Sequence, residues 1–253
     1  MPMKQKIYVS FLIPTRLRTK LLEKSLISIK KNSIEKNTFE IILCVDDDDI
    51  KTIKWTSKNI EQFNLKLIIT SRKGYNKLQE YYNIAAKQSS GEWLWLWNDD
   101  AEIISKNWDL VLKKYSKKCL ILNPGYRENY TYKYTENESF NKFFAQFPIL
   151  SRKIYEKLGY FSAWNHADSF IDKLSKDLYI FRYEPKITIV HKTSDVHSYH
   201  KIAFPNDLYN KDIQLLKNYF GKKVLILNFI KSFFFFYIYF NLKRIVRRIK
   251  SYG

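Results

Sequence analysis

The chain has 253 residues, of which 45% are hydrophobic, so its length and composition exclude a disordered protein and suffice for a full hydrophobic core. A formal net charge of +19 favours polyanionic partners, such as nucleic acid, anionic lipid or phosphorylated substrates, without choosing among them. Cys44 and Cys119, the two cysteines, lie in apolar runs, which excludes a disulfide framework. The apolar stretch over residues 7–13 is too short for a secretory signal, so we expect a cytoplasmic protein.

The first half of the chain alternates apolar runs of strand length with segments of helical spacing. Residues 21–29 and 75–88 carry apolar side chains at intervals of three and four, which is typical of helices with one buried face. Strands are predicted around and between these helices, over residues 7–13, 39–45, 65–70 and 93–97. This alternation indicates an α/β fold with a mostly parallel sheet flanked by helices. The carboxyl ends of such strands meet at one edge of the sheet, where α/β proteins bind ligands.

Acidic residues follow the Trp-rich strand 93–97 at that edge. The strand is apolar throughout, as in a central strand covered on both faces, and it runs directly into Asn98, Asp99 and Asp100. Clustered carboxylates at a strand end suit a hard divalent cation such as Mg²⁺ or Mn²⁺. The alternative is an ordinary polar turn, because Asn and Asp are common turn residues.

Charged segments also follow the second and third strands. Four aspartates, residues 46–49, repel one another unless a cation, a donor-rich ligand or solvent compensates their charge. A solvated turn is the alternative, and it is the favoured interpretation for Asp48 and Asp49. The third strand is followed by the basic segment 72–74. Together, acidic and basic segments on one edge of the sheet can bind a metal ion and a diphosphate, since the acidic side chains attract the cation and the basic ones the phosphates.

The motifs along this edge, taken in order, resemble a known family. They are Phe-Leu-Ile-Pro-Thr-Arg-Leu-Arg at 11–18, Val-Asp-Asp at 45–47, Asn-Ile-Ala-Ala-Lys-Gln-Ser-Ser-Gly-Glu-Trp-Leu at 83–94 and Asn-Asp-Asp-Ala at 98–101. This ordered set resembles the family 2 glycosyltransferases, whose GT-A fold is a Rossmann-like α/β domain. The resemblance implies a single catalytic domain, which we place at residues 1–221.

The resemblance assigns roles to the residues at the strand ends. In that family the base, usually uracil, is held by the end of the first strand and by an aspartate of the second, here Asp46 or Asp47. The family's Asp-x-Asp motif corresponds to residues 98–100, where Asn98 replaces the first Asp. Asp100 is then the ligand of Mn²⁺ or Mg²⁺, and Asn98 or Asp99 reaches the ribose. The implied donor-binding set is completed by Pro14, Thr15, Arg16, Arg18, Lys73 and Asn83.

The second half of the chain resembles the acceptor side of these enzymes. The resemblance rests on Pro-Ile-Leu-Ser-Arg at 148–152, a short helix after it, and Gly-Tyr-Phe-Ser at 159–162. Asp168 corresponds to the family's acidic general base at the start of a helix, although an acidic residue in a first turn is also a good helix starter. For Asp172 a structural role is the favoured interpretation.

Histidines supply a further candidate ligand. A predicted strand over residues 186–190 ends at His191, and family members often supply a late histidine to the metal from such a position. His191 is therefore a candidate metal ligand or phosphate contact. His197 and His200 have the spacing of a zinc pair, but no further ligand lies at a suitable distance, so surface or packing roles are favoured.

The C-terminal residues 222–253 differ in character from the rest of the chain. They carry eight basic residues and no acidic one, and their apolar part, residues 224–240, falls short of a membrane-spanning helix. This composition predicts an interfacial helix on an anionic membrane. The alternative is packing on the domain or on a second subunit in a homodimer.

The combined prediction is a metal-dependent, inverting glycosyltransferase. It moves a sugar from a nucleotide diphosphate, most simply a UDP-sugar, to a hydroxyl of a glycan or lipid-linked acceptor, as in bacterial surface polysaccharide synthesis on the inner face of the cell membrane. One alternative is a nucleotidyltransferase, but residues 14–20 lack a Gly-rich phosphate loop. Another is a basic protein that binds nucleic acid or anionic membrane. It leaves the acidic clusters unexplained, so no nucleic-acid partner is expected.

Overall fold

The computed structural model describes residues 6–128, 145–191 and 202–230, of which 126–128 are described as strand only. The predicted alternation of strands and helices is confirmed in the first half of the chain. The elements are β1 (Val9–Thr15), α1 (Thr19–Lys31), β2 (Phe39–Asp46), α2 (Ile50–Phe63), β3 (Leu65–Thr70), a 3₁₀ turn (Tyr75–Lys77), α3 (Leu78–Lys87) and β4 (Trp93–Leu96). The first strand extends beyond its predicted end, because β1 stays paired with β2 as far as Thr15.

The second half contains shorter elements. They are β5 (Ala101–Ile103), α4 (Trp108–Lys113), β6 (Ile121–Glu128), β7 (Ile149–Ser151), α5 (Arg152–Leu158), α6 (Ala167–Asp177), β8 (Phe181–His191), α7 (Asn206–Phe220) and a helix over residues 222–230. Asp168 lies in the first turn of α6, and His191 ends β8, as the sequence predicts for both positions.

The described strands form one sheet in the order β3-β2-β1-β4-β7-β6-β8-β5. β1 is parallel to both β2 and β4, and β2 is parallel to β3. The predicted α/β class and mostly parallel sheet are confirmed. The second half differs, because β7 runs antiparallel to β4 and β6, and β5 runs antiparallel to β8. The order of strands reverses between β1 and β4, and such a point opens a crevice at the carboxyl ends of the strands.

The Trp-rich strand β4 is buried on both faces of the sheet. Trp93, Trp95 and Trp97 point to one side, where Trp95 stacks on Phe11 of β1 at a centroid distance of 4.8 Å. Leu94 and Leu96 point to the other side, into a second core cluster formed with α3, α5, α6 and α7. Each buried Trp removes about 150–250 Å² from water, so this strand is among the most firmly held parts of the sheet. Residues 98–100 therefore extend from a rigid base.

Gly91 allows β4 to begin close against β1. A Cβ atom at this position would lie 2.5 Å from Ser10 Oγ and 2.7 Å from Ser10 N, so only glycine fits. The approach lets the Gly91 N–H donate to Ser10 Oγ at 2.8 Å. The glycine of the 83–94 motif therefore sets the register at which β4 delivers its carboxyl end to the sheet edge.

Candidate active site

A cleft of about 290 Å³ opens at the carboxyl ends of β1, β2 and β4. It brings together nine of the residues singled out from the sequence, namely Pro14, Thr15, Arg16, Arg18, Asp46, Asn98, Asp99, Asp100 and His191. Four others do not line it, namely Asp47, Lys73, Asn83 and Asp168. Arg72 and Gly74 of the basic segment 72–74 also line it, as expected for that edge of the sheet. The other lining residues, which no motif in the sequence indicates, are Cys44, Tyr75, Leu78, Tyr81 and Tyr82.

The turn after β1 aims two arginines at the cleft. Leu17 adopts φ of +57°, which is uncommon for a residue other than glycine. Its N–H donates to Asp49 Oδ2 at 2.7 Å, and this bond holds the turn in its unusual conformation. Arg16 and Arg18, on either side of Leu17, therefore both line the cleft while the Leu17 side chain remains exposed.

The aspartates 46–49 have separate tasks, and protein donors compensate most of their charge. Arg16 pairs with Asp46 at 2.9 Å and also with Asp48, and this hydrogen bond lowers the pKa of Asp48. Asp49 caps α2, where its Oδ1 accepts the N–H of Thr52 at 3.0 Å. Asp47 is exposed to solvent. The solvated turn proposed for the end of the run therefore does not describe Asp49, which is 1% exposed.

Tyr81 of α3 joins two sides of the cleft. Its hydroxyl donates to Asp46 Oδ1 in a short hydrogen bond, and it accepts the N–H of Lys73 at 2.7 Å and of Gly74 at 3.2 Å. In the sequence, Tyr81 is one of the regularly spaced apolar positions of the helix predicted over residues 75–88. Its hydroxyl is the one feature of the sequence that points to a role in the cleft, since the hydroxyl of a buried tyrosine needs a polar partner.

Asp99 and Asp100 contact Arg18 and His191 in the cleft. Arg18 lies 3.3 Å from Asp99 Oδ1 and 3.1 Å from Asp100 Oδ2, and His191 Nε2 lies 2.9 Å from Asp100 Oδ1. Burial raises the pKa of Asp99 to about 6, even though Thr15 donates to it at 2.7 Å. Burial alone would also raise the pKa of Asp100, but the contact with His191 and the charge of Arg18 outweigh it and lower that pKa.

Asp100 and His191 are the residues here that could serve as ligands of a divalent cation. Asp100 and His191 are within reach of one another, and Asn98 Nδ2 lies 3.3 Å from His191 Nε2. Among the described residues, no group of three or more His, Cys, Asp or Glu side chains could hold a metal by itself. Mg²⁺ and Mn²⁺ commonly take one or two protein ligands and complete their shell with substrate phosphates and water. The residues present fit a cation of that kind, bound together with a diphosphate.

Asn83 and Lys73 make structural contacts outside the cleft lining. The Asn83 amide donates to Ser162 O at 2.8 Å and accepts the N–H groups of Phe161 and Ser162 at 2.8 and 3.0 Å. The prediction that Asn83 contacts the nucleotide is therefore not supported by its position, because its amide is used to fasten α3 to the loop before α6. The Lys73 ammonium lies 3.3 Å from a carboxylate oxygen of Glu80.

Asp168 and Asp172 lie one turn apart on α6 in different surroundings. Asp168 Oδ1 accepts the N–H of Ser169 at 2.7 Å, and burial raises the pKa of Asp168. Asp172 accepts the N–H of Ala145 at 3.2 Å and pairs with Lys176 at 2.7 Å. Both oxygens of Asp172 are engaged in contacts that hold the fold, as the sequence analysis favours.

Two sequence-based interpretations concern parts of the chain that the structure does not cover. His197 and His200 lie outside the described residues, and so do residues 231–253 of the C-terminal segment. Of the helices in the described ranges, none combines the length and the apolar character needed to cross a membrane.

The sheet order and the acidic and basic strand ends of the cleft define a GT-A type of domain. The family model described as "Glycosyl transferase family 2" matches residues 10–173, and the chain belongs to this family. The resemblance seen in the sequence motifs is thereby confirmed. No significant match was found among curated proteins.

Solved structures share this fold at low sequence identity. S. aureus TarS superposes with a TM-score of 0.60 at 16% identity, over 74% of this chain and 37% of that one. TarS 1-349 in complex with UDP-GlcNAc gives a TM-score of 0.59 at 16% identity, over 84% of this chain and 67% of that one. The mannosyltransferase PcManGT from Pyrobaculum calidifontis, in complex with GDP-Man and Mn²⁺, gives a TM-score of 0.56 at 14% identity, over 90% of this chain and 75% of that one. The chain thus spans little more than a third of the first of these TarS chains.

Proposed function

We propose that the protein is an inverting, metal-dependent glycosyltransferase that takes its sugar from a UDP-sugar. The observation that supports this most is that charged side chains from several strand ends line one cleft in a domain of glycosyl transferase family 2. These side chains are Arg16, Arg18, Asp46 and Asp100. Fold neighbours solved with UDP-GlcNAc and with GDP-Man and Mn²⁺ support a nucleotide-sugar donor. The acceptor is a hydroxyl of a glycan or lipid-linked molecule, as in bacterial surface polysaccharide synthesis.

Each end of the donor meets a different part of the cleft in this proposal. Asp46 accepts a hydrogen bond from the base, and Asn98 or Asp99 reaches the ribose. Arg18 and Arg72, which line the same cleft, supply positive charge for the diphosphate. Asp100 and His191 would hold Mn²⁺ or Mg²⁺. When bound, that cation neutralises the negative charge that develops on the departing diphosphate.

Asp168 is proposed as the general base for the acceptor hydroxyl. A carboxylate with a pKa raised by burial is a better proton acceptor than an ordinary one, and it needs to be ionised to act. Removal of the proton lets the hydroxyl oxygen attack the sugar's anomeric carbon on the face opposite the diphosphate, so the configuration inverts. Asn83 supports this arrangement, since it fastens the loop that precedes α6 to α3 beside the donor cleft.

Thermal stabilisation by nucleotides tests the donor assignment. UDP with Mn²⁺ is expected to raise the melting temperature, because a ligand that binds only the folded state stabilises it by mass action. At a concentration of about 100 Kd the gain is about 2.7 kcal/mol. The measurement compares UDP, GDP, CDP and dTDP, each with Mn²⁺ or EDTA. A folded protein that responds to none of them contradicts the proposal.

Membrane association through residues 222–253 is a separate part of the proposal. The helix over residues 222–230 carries Lys222 and Lys223 and exposes apolar side chains, with Ile226 58% and Leu227 53% exposed. Apolar and basic side chains together favour the interface of an anionic bilayer. Phe229 contacts Tyr179 at a ring distance of 4.8 Å, so one side of the helix also packs on the domain.

Vesicle sedimentation tests this association. The protein is expected to bind vesicles that contain phosphatidylglycerol and to release from them at high salt. Combined Ile226→Glu and Leu227→Glu substitutions are expected to weaken binding at least tenfold, since each removes an apolar side chain worth about 1.5–3 kcal/mol when fully buried. Ile69→Glu is the matched control, because Ile69 is 50% exposed on the edge strand β3. Equal loss in both proteins would contradict a specific role of the C-terminal helix.

A further inference from the structure

We propose that Tyr81 determines the base specificity of the cleft, because it holds Asp46 as a hydrogen-bond acceptor and joins it to the backbone of Lys73 and Gly74. The inference rests on the proposed function, since it concerns recognition of the donor's base. The ligand class that follows is a pyrimidine nucleoside diphosphate whose base offers a ring N–H flanked by carbonyls, as uracil and thymine do.

Asp46 receives a protein donor on each of its two oxygens. Oδ1 accepts the hydroxyl of Tyr81, and Oδ2 accepts the Arg16 guanidinium at 2.9 Å. Asp46 is only 4% exposed, so these two contacts fix the plane of its carboxylate at the end of β2. An ionised carboxylate has about four acceptor positions and no donor, so the lone pairs that remain can receive an N–H but cannot offer one.

The Tyr81 hydroxyl uses its full capacity for hydrogen bonds. It donates its proton to Asp46, and its oxygen accepts the N–H groups of Lys73 and Gly74 at 2.7 and 3.2 Å. Burial and the nearby Asp46 raise the pKa of Tyr81 to about 12, which keeps the proton on the hydroxyl. The direction of the bond is therefore set, with Tyr81 as donor and Asp46 as acceptor.

The segment fastened by Tyr81 carries another cleft residue. Arg72 lines the cleft and lies 3.8 Å from Asp48 Oδ2, which also pairs with Arg16. Tyr81 and Asp48 thus connect the ends of β2 and β3 at two points. Removing the Tyr81 hydroxyl would leave two backbone N–H groups and one oxygen of Asp46 without this partner, so the base pocket and the Arg72 segment would loosen together.

This arrangement discriminates between pyrimidine bases. Uracil offers N3–H, which the acceptor Asp46 can bind, and a flanking carbonyl that suits the adjacent donor Arg16. Cytosine carries a lone pair at N3, which would face the lone pairs of Asp46. A site built to bind a substrate N–H rejects analogues without it strongly, because its buried polar group is then left unpaired.

Calorimetric titration with UDP and CDP in the presence of Mn²⁺ tests the proposal. The wild type is expected to prefer UDP, and Tyr81→Phe is expected to bind UDP about ten- to a hundredfold more weakly, because Asp46 is no longer held in the orientation that receives the base. CDP binding should change less, so the UDP:CDP ratio falls. Tyr115→Phe is the control, since Tyr115 donates to Glu184 at 2.7 Å outside the cleft lining, and it should keep the wild-type ratio.

A second variant keeps the test decisive if Tyr81→Phe does not fold. Asp46→Asn replaces one acceptor oxygen by an N–H donor, so it is expected to shift preference from UDP toward CDP. An unchanged UDP:CDP ratio in folded Tyr81→Phe or Asp46→Asn would overturn the proposal. A wild type that binds UDP and CDP equally well would overturn it and leave the transferase function standing. A wild type that binds no nucleotide would overturn both.

Discussion

Asp100→Asn is expected to slow sugar transfer about thousandfold and to abolish the stabilisation by UDP that depends on Mn²⁺. The amide keeps the shape of the side chain but removes the charge that would hold the cation beside His191. A metal ion contributes several kcal/mol of charge stabilisation to such a reaction, and about 4 kcal/mol corresponds to a thousandfold in rate. The fold should persist, because the amide fills the same space as the carboxylate and Arg18 remains paired with Asp99.

The measurement is the initial rate of transfer as a function of Mn²⁺ concentration, together with melting curves with UDP. Asp109→Asn is the matched control, since Asp109 is a buried aspartate of α4 that accepts the N–H groups of Ile34 and Glu35 at 2.9 and 2.7 Å. It should lower the melting temperature and leave the dependence on Mn²⁺ unchanged. If Asp100→Asn kept that dependence, the metal would have to bind elsewhere. Full activity of the wild type in EDTA would indicate that Arg18 and Arg72, and not a metal ion, neutralise the charge of the diphosphate.

Asp168→Asn is expected to lower kcat by a factor of about 10² to 10⁴ and to leave UDP affinity nearly unchanged. A positioned general base contributes a factor of this size to a reaction, and Asp168 does not line the donor cleft. Because the base acts in its ionised form, kcat should rise with pH through the pKa of Asp168. Burial raises this pKa, so the acidic limb of the profile should lie above the ordinary aspartate value of about 4. That limb should disappear in the variant.

Asp172→Asn is the control on the same helix. Burial also raises the pKa of Asp172, but its contacts with Ala145 and Lys176 are structural. This variant should lose about 1–3 kcal/mol of stability and keep both kcat and its pH profile. Equal losses of kcat in the two variants would show that Asp168 acts through the stability of α6 and not as a base.

The elements that the sequence predicts well are those whose signal is local. β4 illustrates this, because an unbroken apolar run is buried on both faces wherever its neighbours lie, and residues that follow it must emerge at the sheet edge. β5 and β7 illustrate the opposite. Each has three residues, and their antiparallel pairing with β8 and β4 joins segments about 90 and 55 positions apart, so no local pattern indicates it.

The residues of the cleft divide in the same way. The sequence by itself placed Asp46 and Asp100 at strand ends, since the length of an apolar run fixes where a strand stops. It also indicated the family, through an ordered set of motifs. The sequence does not show in which direction a side chain points. Asn83 is an example, because its motif suggested a nucleotide contact, whereas its amide binds the backbone at Phe161 and Ser162.

Only the tertiary structure decided which side chains satisfy one another. Arg18 meets Asp99 and Asp100 across 81 and 82 positions of sequence, and Tyr81 meets Asp46 across 35. A polar group can form a hydrogen bond with any suitable partner that the fold brings within about 3 Å, and the sequence does not indicate which partner that is. The sequence therefore determined the parallel strands β1 to β4, their acidic ends and the family of this protein. The packing of α3 and of the turn after β1 determined how those ends become a binding site.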